Sequence, residues 1–223
     1  VRRGFFRYAE EKGLCNPGLV YSLKAPRVYA HENLPSFVPW ETVQDILQSK
    51  KDAAGTGVRD YAILLLLTVY GLRCSEVTNM KLKDIDWRNE TLYLRRAKNC
   101  RPQVLPLLPI VGDAIIRYIK EARFNKSGNE YLFLCRRAPH EQLSTSTIYK
   151  LVRDELKGTG LELHYGPHSL RHTCATRLIN TGHSLKEIAD LLGHIGLDTT
   201  RIYAKVDIKN LRKVADMDWE GLL

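Results

Sequence analysis

The sequence predicts a mainly α-helical protein with a small antiparallel β-sheet, that is, an α+β fold. Apolar residues recur at helical spacing along most of the chain. Two short runs with strand-like composition, residues 91–94 and 103–107, flank a basic segment, as the two strands of a hairpin would. The 44% hydrophobic content is ordinary for a protein with a real core, and 223 residues suffice for one large domain plus a fragment.

The N-terminal part is predicted to be the end of one domain followed by a linker. Residues 4–12 have a helix-compatible pattern that Gly13 ends, and a proline-rich stretch of mixed polarity follows. The chain starts without Met and within an amphipathic pattern, so we expect it to be a fragment of a longer protein. The predicted division is upstream domain 1–25, linker 26–38, main domain 39–205 and helical tail 206–223.

The main domain is predicted to begin with a helix over residues 39–51, which has one apolar face. Residues 60–72 are apolar nearly all round, which predicts a buried central helix. Ser75 is a candidate N-cap for a short helix that follows. A third short strand is predicted at residues 131–134.

The remaining predicted elements are helices with recognisable ends. They cover residues 109–123, 146–156, 167–180 and 184–192. Pro109 and Pro167 suit first-turn positions, and Ser184 suits an N-cap. Gly182 and Gly193 are the predicted stops, since glycine readily adopts the left-handed conformation that ends a helix.

Composition and charge restrict the class of protein. The net charge of +9 and pI of 9.3 favour an anionic partner such as nucleic acid. The five cysteines are scattered and odd in number, which favours reduced thiols in the cytoplasm over a disulfide framework. No apolar run approaches the roughly 18 residues of a membrane span, and no signal-peptide pattern is present, so we expect no membrane association.

Several cationic side chains have a spacing that suits a phosphate site. His168 and Arg171, three residues apart, project from one face of a helix. Arg73 follows the most apolar helix, at the edge of the core, where it needs an anionic partner that Glu76 can supply. A planar guanidinium held in this way is prepared to bind a phosphate. Taken alone, each pair is better explained without a function: His168 and Arg171 as solvated surface residues, and Arg73 with Glu76 as a structural ion pair.

A zinc site is the alternative for the histidines. His164, His168 and His172 are spaced by four, which resembles metal-ligand spacing. However, Pro167 breaks a helix between the first two, and no carboxylate or cysteine partner lies nearby in the sequence, so the pattern does not favour zinc.

Four motifs together resemble those of the tyrosine recombinases, the phage-integrase and Xer-like family. They are Gly71-Leu72-Arg73-Cys74-Ser75-Glu76, His168-Ser169-Leu170-Arg171-His172-Thr173, Leu191-Leu192-Gly193-His194 and Thr199-Thr200-Arg201-Ile202-Tyr203. They occur in the order and with spacing like those of the family. The resemblance covers residues 39–203 and implies that family's catalytic-domain fold. It also implies that residues 1–25 are the last helix of a core-binding domain.

The resemblance implies a role for five of these residues. Arg73 and Arg171 would bind the non-bridging oxygens of the scissile phosphate, and His194 would also bond this phosphate. His168 matches the first histidine of the family's His-x-x-Arg motif and is the expected base. Tyr203 matches the nucleophile.

The basic segment between the two strands is less typical of the family. Lys98 matches the lysine that would act as general acid, but Ala97 and Asn99 stand where glycines are common. Glu76 fills the position of the family's acidic residue. The neighbouring basic side chains are expected to contact DNA phosphates. They are Arg95, Arg96 and Arg101.

The implied activity is site-specific DNA recombination or integration through a covalent 3′-phosphotyrosyl intermediate, as in a mobile element. No metal or nucleotide cofactor is expected. The implied partner is double-stranded DNA with specific recombination sites, bound by a homo-tetramer whose free protomers are monomeric. Two alternatives stay open: DNA relaxation by a type IB topoisomerase-like enzyme, and a DNA-binding module without catalysis.

The tail has apolar residues at helical spacing, Ile208, Leu211, Val214 and Ala215. They predict either a helix that covers its own domain or a helix that docks on a neighbouring protomer, as the family resemblance implies.

Overall fold

The computed structural model describes residues 2–18, 37–96, 102–124, 128–157, 159 and 166–193. The chain divides into two compact units, Val1–Asn33 and Leu34–Leu223. In the first unit, helix α1 covers Arg2–Glu11, and Gly13 follows with a φ of +67°, as its predicted role at the end of this helix requires.

The second unit is built mainly from helices. They are α2 (Trp40–Lys51), α3 (Thr56–Val69), α4 (Cys74–Thr78), α5 (Pro109–Glu121), α6 (Thr145–Lys157), α7 (Pro167–Asn180) and α8 (Leu185–Leu192). The predicted α7 agrees with the structure at both ends. The central helix begins four residues earlier than predicted and ends at Val69.

Helix α3 forms the centre of this unit. Its side chains are buried almost continuously from Tyr61 to Thr68, because α2, α5 and α7 all pack against it. This burial on every side explains why its sequence is apolar nearly all round. The helix therefore provides a rigid base, and the chain leaves it at Tyr70 and Gly71 toward α4.

A three-stranded antiparallel sheet packs beside the helices. Its order is β1 (Ile85–Asp86), β2 (Thr91–Arg95) and β3 (Pro102–Pro106). The register pairs Thr91 with Pro106 and Arg95 with Pro102. The two predicted strands are confirmed within a residue or two, and so is the mainly α-helical class with a small antiparallel sheet.

The predicted strand at residues 131–134 is wrong. Tyr131 bridges only to Lys81 and Leu134 only to Gln142, so the segment meets two different partners with a single pair each. Sustained ladder pairing with one neighbour, which defines a strand, does not develop here. The third strand of the sheet is instead β1.

The predicted cap at Ser75 is also wrong, whereas the cap at Ser184 is confirmed. Helix α4 begins at Cys74 and its N-cap is Arg73, whose backbone N donates to Glu76 Oε2 over 2.9 Å. At α8 the Ser184 hydroxyl accepts from the backbone N of Glu187, and the Glu187 carboxylate accepts from the backbone N of Ser184. This reciprocal pair is a capping box.

No helix within the described ranges is both long and apolar enough to cross a membrane.

Candidate active site

Arg73 is fixed by the turn that precedes α4. Its guanidinium Nη1 donates to Glu76 Oε1 over 2.9 Å, while its backbone N donates to Glu76 Oε2. The Glu76 side chain is only 1% exposed and that of Arg73 is 22% exposed. Within the described part of the chain, Glu76 alone accepts from Arg73. One side of the guanidinium is thus held by a buried carboxylate, and the rest can receive an anion.

Arg171 lies on α7 and is itself 5% exposed. Its Nη1 donates to the carbonyl of Gly71 and its Nη2 to the carbonyl of Leu192, each over 2.6 Å. A solvated surface position was one explanation of this arginine in the sequence, but the structure buries it. Its burial is tolerated because its donors reach carbonyls at the ends of two helical segments. Arg171 and the Arg73 turn are thereby brought together across 100 residues of sequence.

His168 lies one turn before Arg171 and shares its electrostatic environment. Burial lowers the pKa of His168 below its ordinary value, and the charges of Arg171 and then Arg73 lower it further. His168 and Arg171 are three residues apart on α7 and therefore share one face of this helix. The imidazole is therefore neutral at neutral pH and can accept a proton, as the expected base must.

His172 is a more strongly affected neighbour. Its pKa falls to about 4, chiefly through burial and then through the charges of His168 and Arg171. A neutral His172 adds no further charge to the cationic cluster.

Arg96 is buried, whereas a contact with DNA phosphates requires a side chain at the protein surface. Its side chain is 3% exposed, and its Nη1 donates to Glu76 Oε2 over 3.0 Å. Its Nε donates to Gln103 Oε1 over 2.7 Å, and its Nη2 donates to the carbonyl of Leu191. All three kinds of guanidinium nitrogen are thus engaged inside the protein. The predicted phosphate contact does not fit this placement, whereas Arg95 is exposed on the opposite face of β2.

A signal for the burial of Arg96 was present in the sequence. Leu92 and Leu94 are the buried positions of β2, and a strand exposes alternate residues to opposite faces. Position 96 continues this alternation on the buried side. A charged residue on an inward position predicts an internal partner, and Glu76 is that partner.

Four of the predicted site residues lie outside the described residues. They are Lys98, Arg101, His194 and Tyr203. Two of them follow closely on described positions: Lys98 is two residues after Arg96, and His194 follows Gly193. No group of three or more potential metal ligands occurs among the described residues. His164 lies outside them, so the alternative zinc site is not tested.

The fold and this geometry define a helical domain that buries guanidiniums around a site suited to a phosphate. Residues 37–210 match the family model described as "Phage integrase family". The chain therefore belongs to the phage integrase family, and its second unit is a tyrosine recombinase catalytic domain. This agrees with the family resemblance seen in the four sequence motifs.

Similar proteins include both integrases and Xer recombinases. The chain is 38% identical over 185 residues to the putative integrase/recombinase y4gC of Sinorhizobium fredii, covering 82% of this chain and 95% of that protein. It is 35% identical over 195 residues to the tyrosine recombinase XerA of Pyrococcus horikoshii, covering 87% of this chain and 64% of XerA. It spans only 44% and 53% of two other putative integrase/recombinases of Sinorhizobium fredii.

The fold is also found in a solved recombinase structure. The XerH site-specific recombinase, crystallised with a palindromic difH substrate in a post-cleavage complex, matches with a TM-score of 0.74 and 24% identity. The match covers 90% of this chain and 58% of the XerH chain. At this identity the similarity establishes the shared fold.

Proposed function

We propose that this chain carries the catalytic domain of a site-specific DNA recombinase or integrase. It cleaves and rejoins DNA strands through a covalent 3′-phosphotyrosyl intermediate on Tyr203. The observation that carries the proposal is the bond from Arg171 to the Gly71 carbonyl, two residues before Arg73. It ties Arg171 to the turn that carries Arg73, far apart in sequence, and the charges of both arginines lower the pKa of His168.

In this proposal the arginines stabilise the reacting phosphate. Negative charge spreads over the non-bridging oxygens in the transition state, and Arg73, Arg171 and His194 donate to them. Donors that are already fixed in place cost no reorganisation when this charge develops. Glu76 and the two carbonyls that bind Arg171 provide that fixation. Removing one such donor typically lowers the rate about 100- to 1000-fold.

The proton transfers follow from the neighbouring groups. The Tyr203 hydroxyl has an ordinary pKa of about 10, so it needs a base to become nucleophilic. Neutral His168 accepts its proton while Tyr203 Oη forms a bond to phosphorus. The bond from phosphorus to the 5′ oxygen breaks, and Lys98 gives that oxygen a proton. Rejoining reverses these steps, with a 5′ hydroxyl displacing the tyrosine.

Double-stranded DNA with recombination sites is the proposed partner. The net charge of +9 favours DNA, and the XerH structure of the same fold was determined with a DNA substrate. We propose assembly of four protomers on two DNA sites, with monomers in the free state, and a cytoplasmic location. Arg95, exposed on β2, remains a proposed phosphate contact, as does Arg101.

The predicted division of the chain also stays a proposal. The boundary between the two compact units, after Asn33, falls inside the predicted linker 26–38 and supports it. The tail 206–223 either covers its own domain or docks on a neighbour. Deleting it should abolish tetramers on DNA in sedimentation experiments if it docks, and should leave them intact if it does not.

The test traps the covalent intermediate. Nicked duplexes with a randomised central region let the cut end diffuse away, so a reactive protein stays attached to DNA. Adducts that survive denaturation are recovered and sequenced, and the enriched duplex serves as substrate afterwards. We expect a 3′-linked adduct with the natural chain and none with Tyr203→Phe.

Each competing activity has its own outcome. A catalytically inactive DNA-binding module would retain duplexes but give no adduct under any condition, which would refute the proposal. A topoisomerase-like enzyme would relax a supercoiled plasmid carrying a single enriched site without joining two sites. We expect strand exchange between two plasmids that each carry the site.

A further inference from the structure

We propose that Arg96 is a positioning residue, which joins the Arg73–Glu76 turn to the end of α8 from which the His194 segment departs. The proposal rests on the proposed function, because positioning matters only if these segments carry catalytic groups. Arg96 itself would touch neither DNA nor the reacting atoms.

The first support is the shared carboxylate. Glu76 Oε2 accepts from Arg96 Nη1, while Glu76 Oε1 accepts from Arg73 Nη1. The Glu76 side chain is 1% exposed and that of Arg96 is 3% exposed, so water cannot readily replace either partner. Loss of Arg96 would leave Glu76 free to turn toward Arg73 alone. The orientation of the Arg73 guanidinium therefore depends on Arg96.

The second support lies at the C-terminal end of α8. The last carbonyls of a helix have no partner within it and form the negative end of the helix dipole. Here three consecutive carbonyls accept from side chains of other elements. Gln103 Nε2 donates to Asp190 over 2.8 Å, Arg96 Nη2 donates to Leu191, and Arg171 Nη2 donates to Leu192 over 2.6 Å.

The chain then leaves α8 against the Arg96 side chain itself. Gly193 has a φ of +65° and a ψ of 46°, the left-handed conformation that suits glycine. A Cβ added there would lie 2.6 Å from Arg96 Nε, so the guanidinium packs directly against the Gly193 backbone. His194 is the next residue. Contact with Arg96 thus constrains the backbone of Gly193, the residue that precedes His194 in the sequence.

The third support is the position of Arg96 in the hairpin. It follows the last residue of β2, and its Nε donates across to Gln103 on β3. Lys98 is two residues further on. A single guanidinium consequently contacts the hairpin that leads to Lys98, the carboxylate that holds Arg73, and the helix end that leads to His194.

This arrangement requires arginine rather than lysine. The three contacts use three different nitrogens of one planar group, pointing in three directions. A lysine ammonium would keep the charge opposite Glu76 but has one nitrogen, which cannot reach all three acceptors in fixed directions. If Arg96 acts by positioning, Arg96→Lys should therefore restore the rate only in part. If its charge alone matters, Arg96→Lys should restore the rate fully.

The experiment compares single-turnover adduct formation at saturating DNA, using the duplex enriched by the natural chain. The full chain is tested with Arg96→Gln, Arg96→Lys and Arg95→Gln. Arg88→Gln, on the exposed turn between β1 and β2, is the matched control for loss of one positive charge in the same sheet. DNA affinity is measured for each at several salt concentrations, and folding is checked by near-ultraviolet circular dichroism.

We expect Arg96→Gln to lower the saturated rate by about 10- to 100-fold, by analogy with the loss of partners that orient the ligands of a metal site. Its DNA affinity and salt dependence should stay within about twofold of those of the natural chain. Arg96→Lys should recover part of the rate. Arg95→Gln should weaken binding and reduce the salt slope by about one, as loss of a phosphate contact does. Arg88→Gln should leave the saturated rate unchanged.

Three results would overturn the proposal. The first is an unchanged saturated rate in Arg96→Gln. The second is a loss of adduct formation in Arg96→Gln that weaker DNA binding with a reduced salt slope explains fully, and the third is full recovery of the saturated rate in Arg96→Lys. If Arg96→Gln does not fold, Gln103→Ala decides, because it removes only the Nε acceptor and the Asp190 contact. Gln103→Ala should lower the saturated rate several-fold. A rate equal to that of the natural chain would reject the positioning role.

Failure of the positioning role is separable from failure of the proposed function. If the natural chain forms no adduct with any duplex, the recombinase proposal fails. If it forms adducts that Arg96→Gln forms equally fast, only the positioning role fails.

Discussion

Replacing Gly71 by alanine should damage the site and the stability of its domain together. Gly71 has a φ of +59°, which costs a residue with a Cβ about 1–2 kcal/mol. The added Cβ would also lie 2.6 Å from Leu192 Cδ2 and 3.5 Å from Arg171 Cγ. Such overpacking costs about 1–3 kcal/mol. We therefore expect Gly71→Ala to lower the free energy of unfolding by about 2–5 kcal/mol.

Gly182→Ala is the matched control for the part of the stability loss that comes from placing a Cβ on a residue with positive φ. Gly182 has a φ of +92° at the end of α7, and no atom of the described residues lies within 4 Å of the Cβ position. Its φ is further from the left-handed minimum than that of Gly71, so its conformational strain should be at least as large. Any excess loss in Gly71→Ala is consequently due to the collision with Leu192.

The assay is urea unfolding at 25 °C, followed by tryptophan fluorescence and extrapolated to zero urea. Gly71→Ala should also slow adduct formation at saturating DNA, because the Gly71 carbonyl accepts from Arg171 and cannot shift without moving it. Gly182→Ala should not slow it. Equal losses of unfolding free energy in the two variants would refute the argument that Gly71→Ala collides with Leu192. An unchanged rate of adduct formation in Gly71→Ala would refute the argument that the Gly71 carbonyl positions Arg171.

The remaining predictions concern buried polar groups. Glu76→Ala should lower the free energy of unfolding by about 3–5 kcal/mol, since it leaves buried Arg96 without its counter-charge; combining it with Arg96→Leu should recover part of the loss in a double-mutant cycle. Thr173→Val should cost about 1–3 kcal/mol, because the buried backbone N of Val38 loses its 2.9 Å acceptor. The pKa of His172 is lowered from 6.5 to about 4, so the unfolded chain binds the proton more readily and stability falls as pH drops from about 6.5 toward 4. After allowance for solvent screening this loss is about 1–2 kcal/mol, and replacing His172 by Phe should remove it.

Each of these has a result that would contradict it. Additive losses for Glu76→Ala and Arg96→Leu would show that the two side chains are not coupled. Thr181→Val is the control for Thr173→Val, because the Thr181 hydroxyl bonds only carbonyls of its own helix near the surface; similar losses would reject the role of the Val38 contact. A stability profile of the natural chain that is flat between pH 7 and 4, measured by urea unfolding, would refute the argument from His172.

The buried charges explain how a cationic site is kept rigid. Glu76 accepts from two arginines, so the carboxylate does not neutralise the cluster to which it belongs. Arg171 donates to two carbonyls, which fix the direction of its guanidinium. One carboxylate thus faces two guanidiniums, and each of the bonded donors has a fixed direction.

Most of the secondary structure could be predicted because it depends on short-range patterns. The boundaries of α7, the cap at Ser184 and the stop at Gly193 follow from steric and hydrogen-bonding preferences of a few adjacent residues. The strand at residues 131–134 was mispredicted for the opposite reason. Its residues suit a strand, but a strand also requires a continuous neighbour, and distant segments decide whether one is available.

The sequence by itself determined the family, the helical framework and the arginines and histidine suited to a phosphate, because motif order and local periodicity are properties of the chain. The tertiary structure alone decided that Arg171 is buried and that Glu76 and Leu191 are the partners of Arg96. These contacts join positions 20 to 100 residues apart, and such pairs meet only after α3 and the sheet have fixed the elements around them. An arginine side chain is long and has several donors, so its role depends on which acceptors the fold brings within its reach.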